Sequence, residues 1–228
     1  MGGVLSALAE LVLGASCPGC GRVAAGLCPD CRAALTRPPT VVVEHGLTLA
    51  WAGAYADVLR ETTLAAKERR ALQMATMLGG LLARAVAALA VHEDAGGPLV
   101  LVPVPTVRAH VLRRGVDLPR LLAAGAARRL RGTGLDVRVV GRLSLARTPV
   151  DQIGLDAAAR RRNLAGAFVW RGPTPAGRVI VVDDILTTGA TMTQAAAACR
   201  RAGASVLGGA VVARTPRRAP GRDVPMGR

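Results

Sequence analysis

Residues 178–191, Arg-Val-Ile-Val-Val-Asp-Asp-Ile-Leu-Thr-Thr-Gly-Ala-Thr, leave the chain few folds to adopt. Val179 to Val182 are continuous and β-branched, which predicts a strand buried on both faces, as in a parallel sheet. Asp183 and Asp184 stand where that strand is expected to end. Thr187, Thr188, Gly189, Ala190 and Thr191 follow, small and mostly hydroxylic, and a helical pattern runs from Met192 to about Ala202. The order is strand, acidic edge, tight loop, helix. Such a loop lies at the carboxyl end of a strand, where open α/β sheets bind ligands. Its small residues let backbone N–H groups close around a phosphate at a helix N-terminus.

The acid pair refines the ligand. Carboxylates beside the cradle would repel a bare phosphate, but they can accept hydrogen bonds from hydroxyls a few ångströms away. A ribose 5-phosphate presents that arrangement. The stretch resembles the phosphoribosyl pyrophosphate (PRPP) motif of type I phosphoribosyltransferases. The plainer alternative is an acid-ended strand followed by a helix cap. No Walker A lysine loop is present, which disfavours nucleotide hydrolysis.

At 228 residues the chain has room for one α/β domain and a small appendage. The net charge of +15 suits anionic ligands. Of the 30 basic residues only Lys67 is a lysine. The bland reading of Lys67 is a solvated helix end, and the functional one is an ammonium over a pyrophosphate. Between Arg108 and Arg178 lie 15 Arg and 4 Asp, a local balance of +11 that reads as an anion funnel.

Cys17-Pro-Gly-Cys20 and Cys28-Pro-Asp-Cys31 supply four thiolates in two short knuckles, the donor set of a closed structural Zn²⁺ site. A redox dithiol pair or a lost metal site are the alternatives. Cys199 stands apart and reads as a buried apolar residue. No apolar run reaches membrane-spanning length. Residues 4–15 could suggest a leader peptide, but they lack a basic start and contain Glu10, so they read as a short amphipathic helix in a cytoplasmic protein.

Further along, Val41–Val43 and Leu47–Tyr55 read as short strands. Asp57–Arg70 and Ala71–Ala90 read as helices, Leu99–Pro105 as a buried strand, Asp117 to about Arg131 as a helix, and Asp136–Val140 as a strand. From Leu143 to Trp170 no period is evident. Ser205–Arg214 makes a last strand. His45, His92 and His110 have no carboxylate or cysteine at ligand spacing and read as surface residues.

The knuckles, Lys67, Val102-Pro-Val-Pro105, Arg113-Arg-Gly115, Gln152-Ile-Gly-Leu155 with Arg160 and Asn163, Ala167-Phe168, and Asp183 to Thr191 come in the order of the ComF family, which the chain resembles from about residue 11 to 214. The resemblance implies a type I phosphoribosyltransferase fold, α/β with a parallel sheet flanked by helices, a flexible loop at about 145–165, and a small N-terminal zinc module. The expected organisation is helix and module over 1–37, phosphoribosyltransferase domain over 38–215, and a disordered basic tail over 216–228.

It also implies roles. Asp183 and Asp184 would hold ribose hydroxyls, and Thr187, Thr188, Gly189, Ala190 and Thr191 the 5-phosphate. Lys67 with Arg114 or Arg160 would meet pyrophosphate with Mg²⁺. The family is associated with DNA uptake and competence, so single-stranded DNA and DNA-processing proteins are candidate partners. One departure stands out: the family usually continues Arg-Gly with Phe-Asn-Gln, whereas this chain has Gly115-Val-Asp117-Leu-Pro119. Two non-enzymatic alternatives remain beside phosphoribosyl transfer. One is a PRPP-sensing or DNA-handling protein on the same fold; the other is a zinc-module adaptor with a vestigial pocket.

Overall fold

A computed structural model describes residues 16–24, 26–68, 71–146 and 166–216. The expected N-terminal helix, most of the 145–165 loop and nearly all of the basic tail lie outside the described residues.

A six-stranded sheet organises the domain. Its strands are β1 (Thr40–Glu44), β2 (Leu47–Ala54), β3 (Leu99–Pro103), β4 (Val137–Val139), β7 (Arg178–Leu186) and β8 (Ser205–Arg214), in the spatial order β1-β2-β8-β7-β3-β4. All neighbours are parallel except β1, which is antiparallel to β2. Only two residues, His45 and Gly46, join β1 to β2, and both have positive φ, 53° and 69°. That is the type I′ geometry whose twist matches a hairpin.

Both faces of the sheet are covered, which is why its central strands are apolar throughout. Leu99, Leu101, Ile180 and Val182 pack on one side with helices α2 (Asp57–Glu68), α3 (Ala71–His92) and α5 (Leu118–Arg131). Val100, Val102, Val179 and Val181 pack on the other with helix α6 (Ala190–Arg201). Adjacent residues alternate between faces, as the pleat requires. Gly209 in β8 lets α6 settle: a Cβ there would come within 2.5 Å of Met192 Cε.

Several expectations need correction. Contrary to the sequence reading, one helix is long and apolar enough to cross a membrane: Met74–His92 has mean hydropathy 1.8. Here that stretch contributes Leu78, Leu82, Val86 and Leu89 to the core, so its apolarity serves packing against the sheet and α5. The region without evident period contains β5 (Leu143–Leu145) and β6 (Phe168–Trp170), which pair antiparallel. Three-residue strands are too short to show a period. A further helix, α4 (Arg108–Arg114), was not anticipated; Gly115 ends it at φ 74°.

The four-cysteine module, with helix α1 (Pro29–Ala33), packs through Leu27, Cys17 and Cys31 toward Val58 of α2 and Met77 of α3. Arg84 of α3 ties down the following linker, donating to the carbonyl oxygens of Leu35 (2.8 Å), Thr36 (2.8 Å) and Arg37. One guanidinium thus satisfies several backbone carbonyls of the linker after α1.

Candidate functional site

From β3 the chain crosses through α5 to β4 on one side of the sheet; from β7 it crosses through α6 to β8 on the other. The strand order therefore reverses between β3 and β7. Such a reversal, where the flanking connections leave in opposite directions, is the usual ligand position in open α/β sheets. β3 ends at Pro103, opposite Val182, and Pro105 carries the chain away. β7 continues past that point, so Asp183 and Asp184 lie within the strand, not after it. The ladder to β8 runs on to Leu186 opposite Arg214.

Past the end of β3 the carboxylates bond to nearby β7 amides. Asp184 N–H donates to Asp183 Oδ1 at 2.8 Å, and Ile185 N–H donates to Asp184 Oδ1 at 2.7 Å. Lys67, in the last turn of α2, reaches across to Asp184: Nζ and Oδ2 are 2.6 Å apart, with 22% and 14% of the side chains exposed. Asp183 retains some accessible surface, yet burial pushes its carboxyl well above the usual carboxylate range, and the adjacent Asp184 charge pushes it the same way. The pair is thus asymmetric, with Asp184 held by an ammonium and Asp183 held toward its protonated form.

The loop closes beside them. Gly189 has φ 79° and forms the N-cap of α6. A left-handed residue at this position turns the chain sharply from strand to helix, and glycine takes that conformation without a Cβ penalty. Thr188 Oγ1 accepts from Ala190 N–H at 3.4 Å, and Thr193 Oγ1 donates to Gly189 O at 3.0 Å. Thr187 is exposed, Thr188 and Thr191 half-buried, and Ala190 buried. Helix α6 begins two residues earlier than expected, so Ala190 and Thr191 belong to its first turn. The arrangement can receive an anion at the amino end of α6 and hydroxyl donors at the acids.

The structure brings Lys67 to the acid pair. Arg114 ends α4, and Arg160 lies outside the described residues. Asp117, where the family usually has an amide, caps α5: its carboxylate accepts from Arg120 N–H (3.4 Å) and from Thr106 Oγ1 (3.1 Å).

Two features at the loop escaped sequence reasoning. His45, exposed at the tip of the β1–β2 hairpin, packs against the loop, with Cδ2 3.7 Å from where a Gly189 Cβ would lie. Arg214 makes a bidentate pair with Glu44 (2.9 and 2.8 Å) while its guanidinium lies 4.5 Å from the centre of the Trp51 ring. The next residue, Thr215, donates its N–H to Leu186 O at 2.9 Å. The only sequence signal was the tight Glu44-His45-Gly46 turn, which says nothing of what the tip touches.

The four thiols form a second centre. All four Sγ atoms lie within 4.8 Å of one another, and Cys20 and Cys28 are 3.7 Å apart. Tetrahedral coordination at a metal–sulfur distance of about 2.3 Å requires sulfurs roughly 3.8 Å apart. A disulfide would need about 2.05 Å, and all four are free thiols. Cys28 N–H donates to Cys17 Sγ at 3.4 Å. Arg22 approaches Cys20 at 3.4 Å and Cys28 at 3.5 Å, and its hydrogen bond lowers the Cys20 thiol to about 6. The donor set fits a thiophilic metal ion.

No protein-family model matches the chain. It is 30% identical over 193 residues to the DNA utilization protein YhgH of Salmonella typhi, covering 84% of this chain and 80% of that protein. It is 35% identical over 109 residues to Competence protein F of Haemophilus influenzae, covering 46% of each. It is also 37% identical over 118 residues to the orotate phosphoribosyltransferase of Streptomyces avermitilis, covering 42% of this chain and 65% of the enzyme. With its mostly parallel sheet between helices and its four-cysteine cluster, the chain belongs to the competence-related, phosphoribosyltransferase-like ComF family.

Proposed function

We propose that the crevice between β3 and β7 binds the ribose 5-phosphate group of PRPP and serves phosphoribosyl transfer with release of pyrophosphate. The observation that carries this reading is the convergence of Asp183, Asp184, Lys67 and the Gly189 cap at one carboxyl edge of the sheet. In this reading residues 187–191 hold the 5-phosphate and the two acids accept from the ribose hydroxyls. Lys67 meets the pyrophosphate, with Arg114 or Arg160 as a second cation. A nucleophile attacks C1 as the bond to pyrophosphate breaks. The electron pair leaves with the pyrophosphate, and the nucleophile's proton passes to solvent or base. The protein contributes positioning and charge stabilisation. Two acids, one already paired with an ammonium, make a poor Mg²⁺ site on their own; Mg²⁺ belongs with the pyrophosphate as part of the ligand. The cysteine centre takes Zn²⁺ in a structural role.

Calorimetric titration of PRPP with Mg²⁺ into wild type, Asp184→Asn and Gly189→Val, with metal content measured on the same samples, tests both assignments. Asp184→Asn should weaken PRPP by about 1–3 kcal/mol, the scale of a charge-assisted hydrogen bond. Gly189→Val should weaken it more, because a β-branched residue is strained at φ 79°. All three proteins should carry about one Zn²⁺ per chain. Equal PRPP affinity in all three would refute the loop assignment, and metal-free protein purified without chelator would refute the zinc assignment.

A second reading is single-strand DNA handling, favoured by the names of the relatives. Arg108, Arg120, Arg128, Arg138, Arg142 and Arg171 are exposed and could neutralise a phosphate backbone. The two readings are compatible, since none of these arginines is among the residues the first reading assigns to PRPP.

A further inference from the structure

The Lys67–Asp184 contact is more than a pair of ligand-binding residues waiting side by side. Asp184 is the acceptor that the phosphoribosyl reading assigns to a ribose hydroxyl, and at 2.6 Å the Lys67 ammonium already occupies it. A hydroxyl bonding from the ammonium's side of that oxygen displaces Lys67, and one bonding at its remaining lone pair competes with Lys67 for the carboxylate's charge. With less than a quarter of its side chain exposed, a displaced Lys67 needs another anion, because separating a largely buried pair leaves an uncompensated charge. Asp183 is a poor substitute, since burial holds it toward the protonated form. The ligand has to bring the anion. PRPP carries one on C1, the pyrophosphate, whereas ribose 5-phosphate carries a hydroxyl there.

Resting on the phosphoribosyl reading of this site, we propose that the Lys67–Asp184 ion pair is a latch that makes capture of a ribose 5-phosphate group conditional on a second anion, pyrophosphate, reaching Lys67. The latch makes Lys67 a specificity-determining residue. It disfavours ribose 5-phosphate alone, admits PRPP, and couples the two halves of PRPP when they are supplied separately. Linkage makes that coupling reciprocal: pyrophosphate raises affinity for ribose 5-phosphate by the factor by which ribose 5-phosphate raises affinity for pyrophosphate.

The deciding measurement needs no variant. Ribose 5-phosphate is titrated into the wild-type chain in Mg²⁺ with and without saturating pyrophosphate, and PRPP is titrated in parallel. Ribose 5-phosphate should bind about 5–150-fold more tightly with pyrophosphate present, the usual range of coupling between sites. Pyrophosphate that leaves the affinity unchanged, or lowers it by competing for the phosphate loop, overturns the latch. PRPP binding in the parallel titration keeps that failure separate from the phosphoribosyl reading, whereas failure of PRPP itself to bind overturns both. In Lys67→Met, which frees Asp184, ribose 5-phosphate alone should bind several-fold more tightly than in wild type and the pyrophosphate effect should vanish. A folded Lys67→Met that retains the full pyrophosphate effect also overturns the proposal.

Discussion

Asp183 is the residue whose ionisation most directly opposes stability. Burial, reinforced by the Asp184 charge, raises its carboxyl well above the ordinary value near 3.8. The folded chain therefore holds this proton more tightly than the unfolded chain does. Below the ordinary value both states are protonated and the group imposes no penalty. As pH rises from there toward the folded value, the unfolded state ionises first, so this residue's contribution to stability falls across that window. Asp183→Asn keeps an oxygen that can accept from Asp184 N–H and removes the charge. Its melting temperature at neutral pH should exceed that of wild type, and the fall of stability with rising pH should flatten. An unchanged pH profile in thermal melts would show that Asp183 ionises normally.

At the scale of elements, helices α3 and α5 meet backbone to backbone. A Cβ on Gly79 would lie 3.1 Å from Gly125 Cα and 3.3 Å from Ala126 N, and backbone atoms in a helix cannot swing aside. Gly80, its neighbour, has nothing within 4 Å of its Cβ position. The two glycines should therefore respond in opposite directions. Gly79→Val should destabilise by about 1–3 kcal/mol through overpacking, whereas Gly80→Ala should stabilise by up to about 1 kcal/mol through helix propensity. Denaturant titration of both variants checks this, and the same sign for both would mean that the helices do not cross at Gly79. The crossing seats α5 against the sheet beside β3 and β4.

For the whole molecule the governing quantity is charge. The chain carries +15, and the arginines of α5, of β4 and beside β5 and β6 present part of it to solvent. If these arginines hold a single-stranded backbone through six or more phosphate contacts, DNA affinity should fall about 300-fold or more between 50 and 200 mM salt. PRPP affinity, set by a few enclosed contacts, should change much less under the same conditions. A salt-insensitive DNA affinity would remove these arginines as its source. Aromatic stacking contributes little to this account, because Trp51 is already engaged by Arg214 and Trp170 Nε1 bonds Pro173 O at 3.4 Å.

Local order carried much of this protein in its sequence. The β-branched run of β7, the Thr-Thr-Gly-Ala-Thr loop and the helix after it are contiguous, so their spacing expresses strand, turn and cap directly. The cysteine knuckles were legible for the same reason, since short spacing places thiols together whatever surrounds them. Other features were decided only when distant segments met. Lys67 read equally well as a solvated helix end until α2 packed beside β7 and set its ammonium on Asp184. The acids looked terminal because the sequence, which shows β8 running to Arg214, does not show that β7 stays paired with it after β3 stops at Pro103. His45 acquired a neighbour in the loop, and Arg214 acquired Glu44 and Trp51, through the fold of the hairpin onto the sheet edge. Local propensity acts along the chain, whereas electrostatic pairing and close packing act through space, so the chain could specify each wall of the site but only its tertiary fold could bring them within hydrogen-bonding distance.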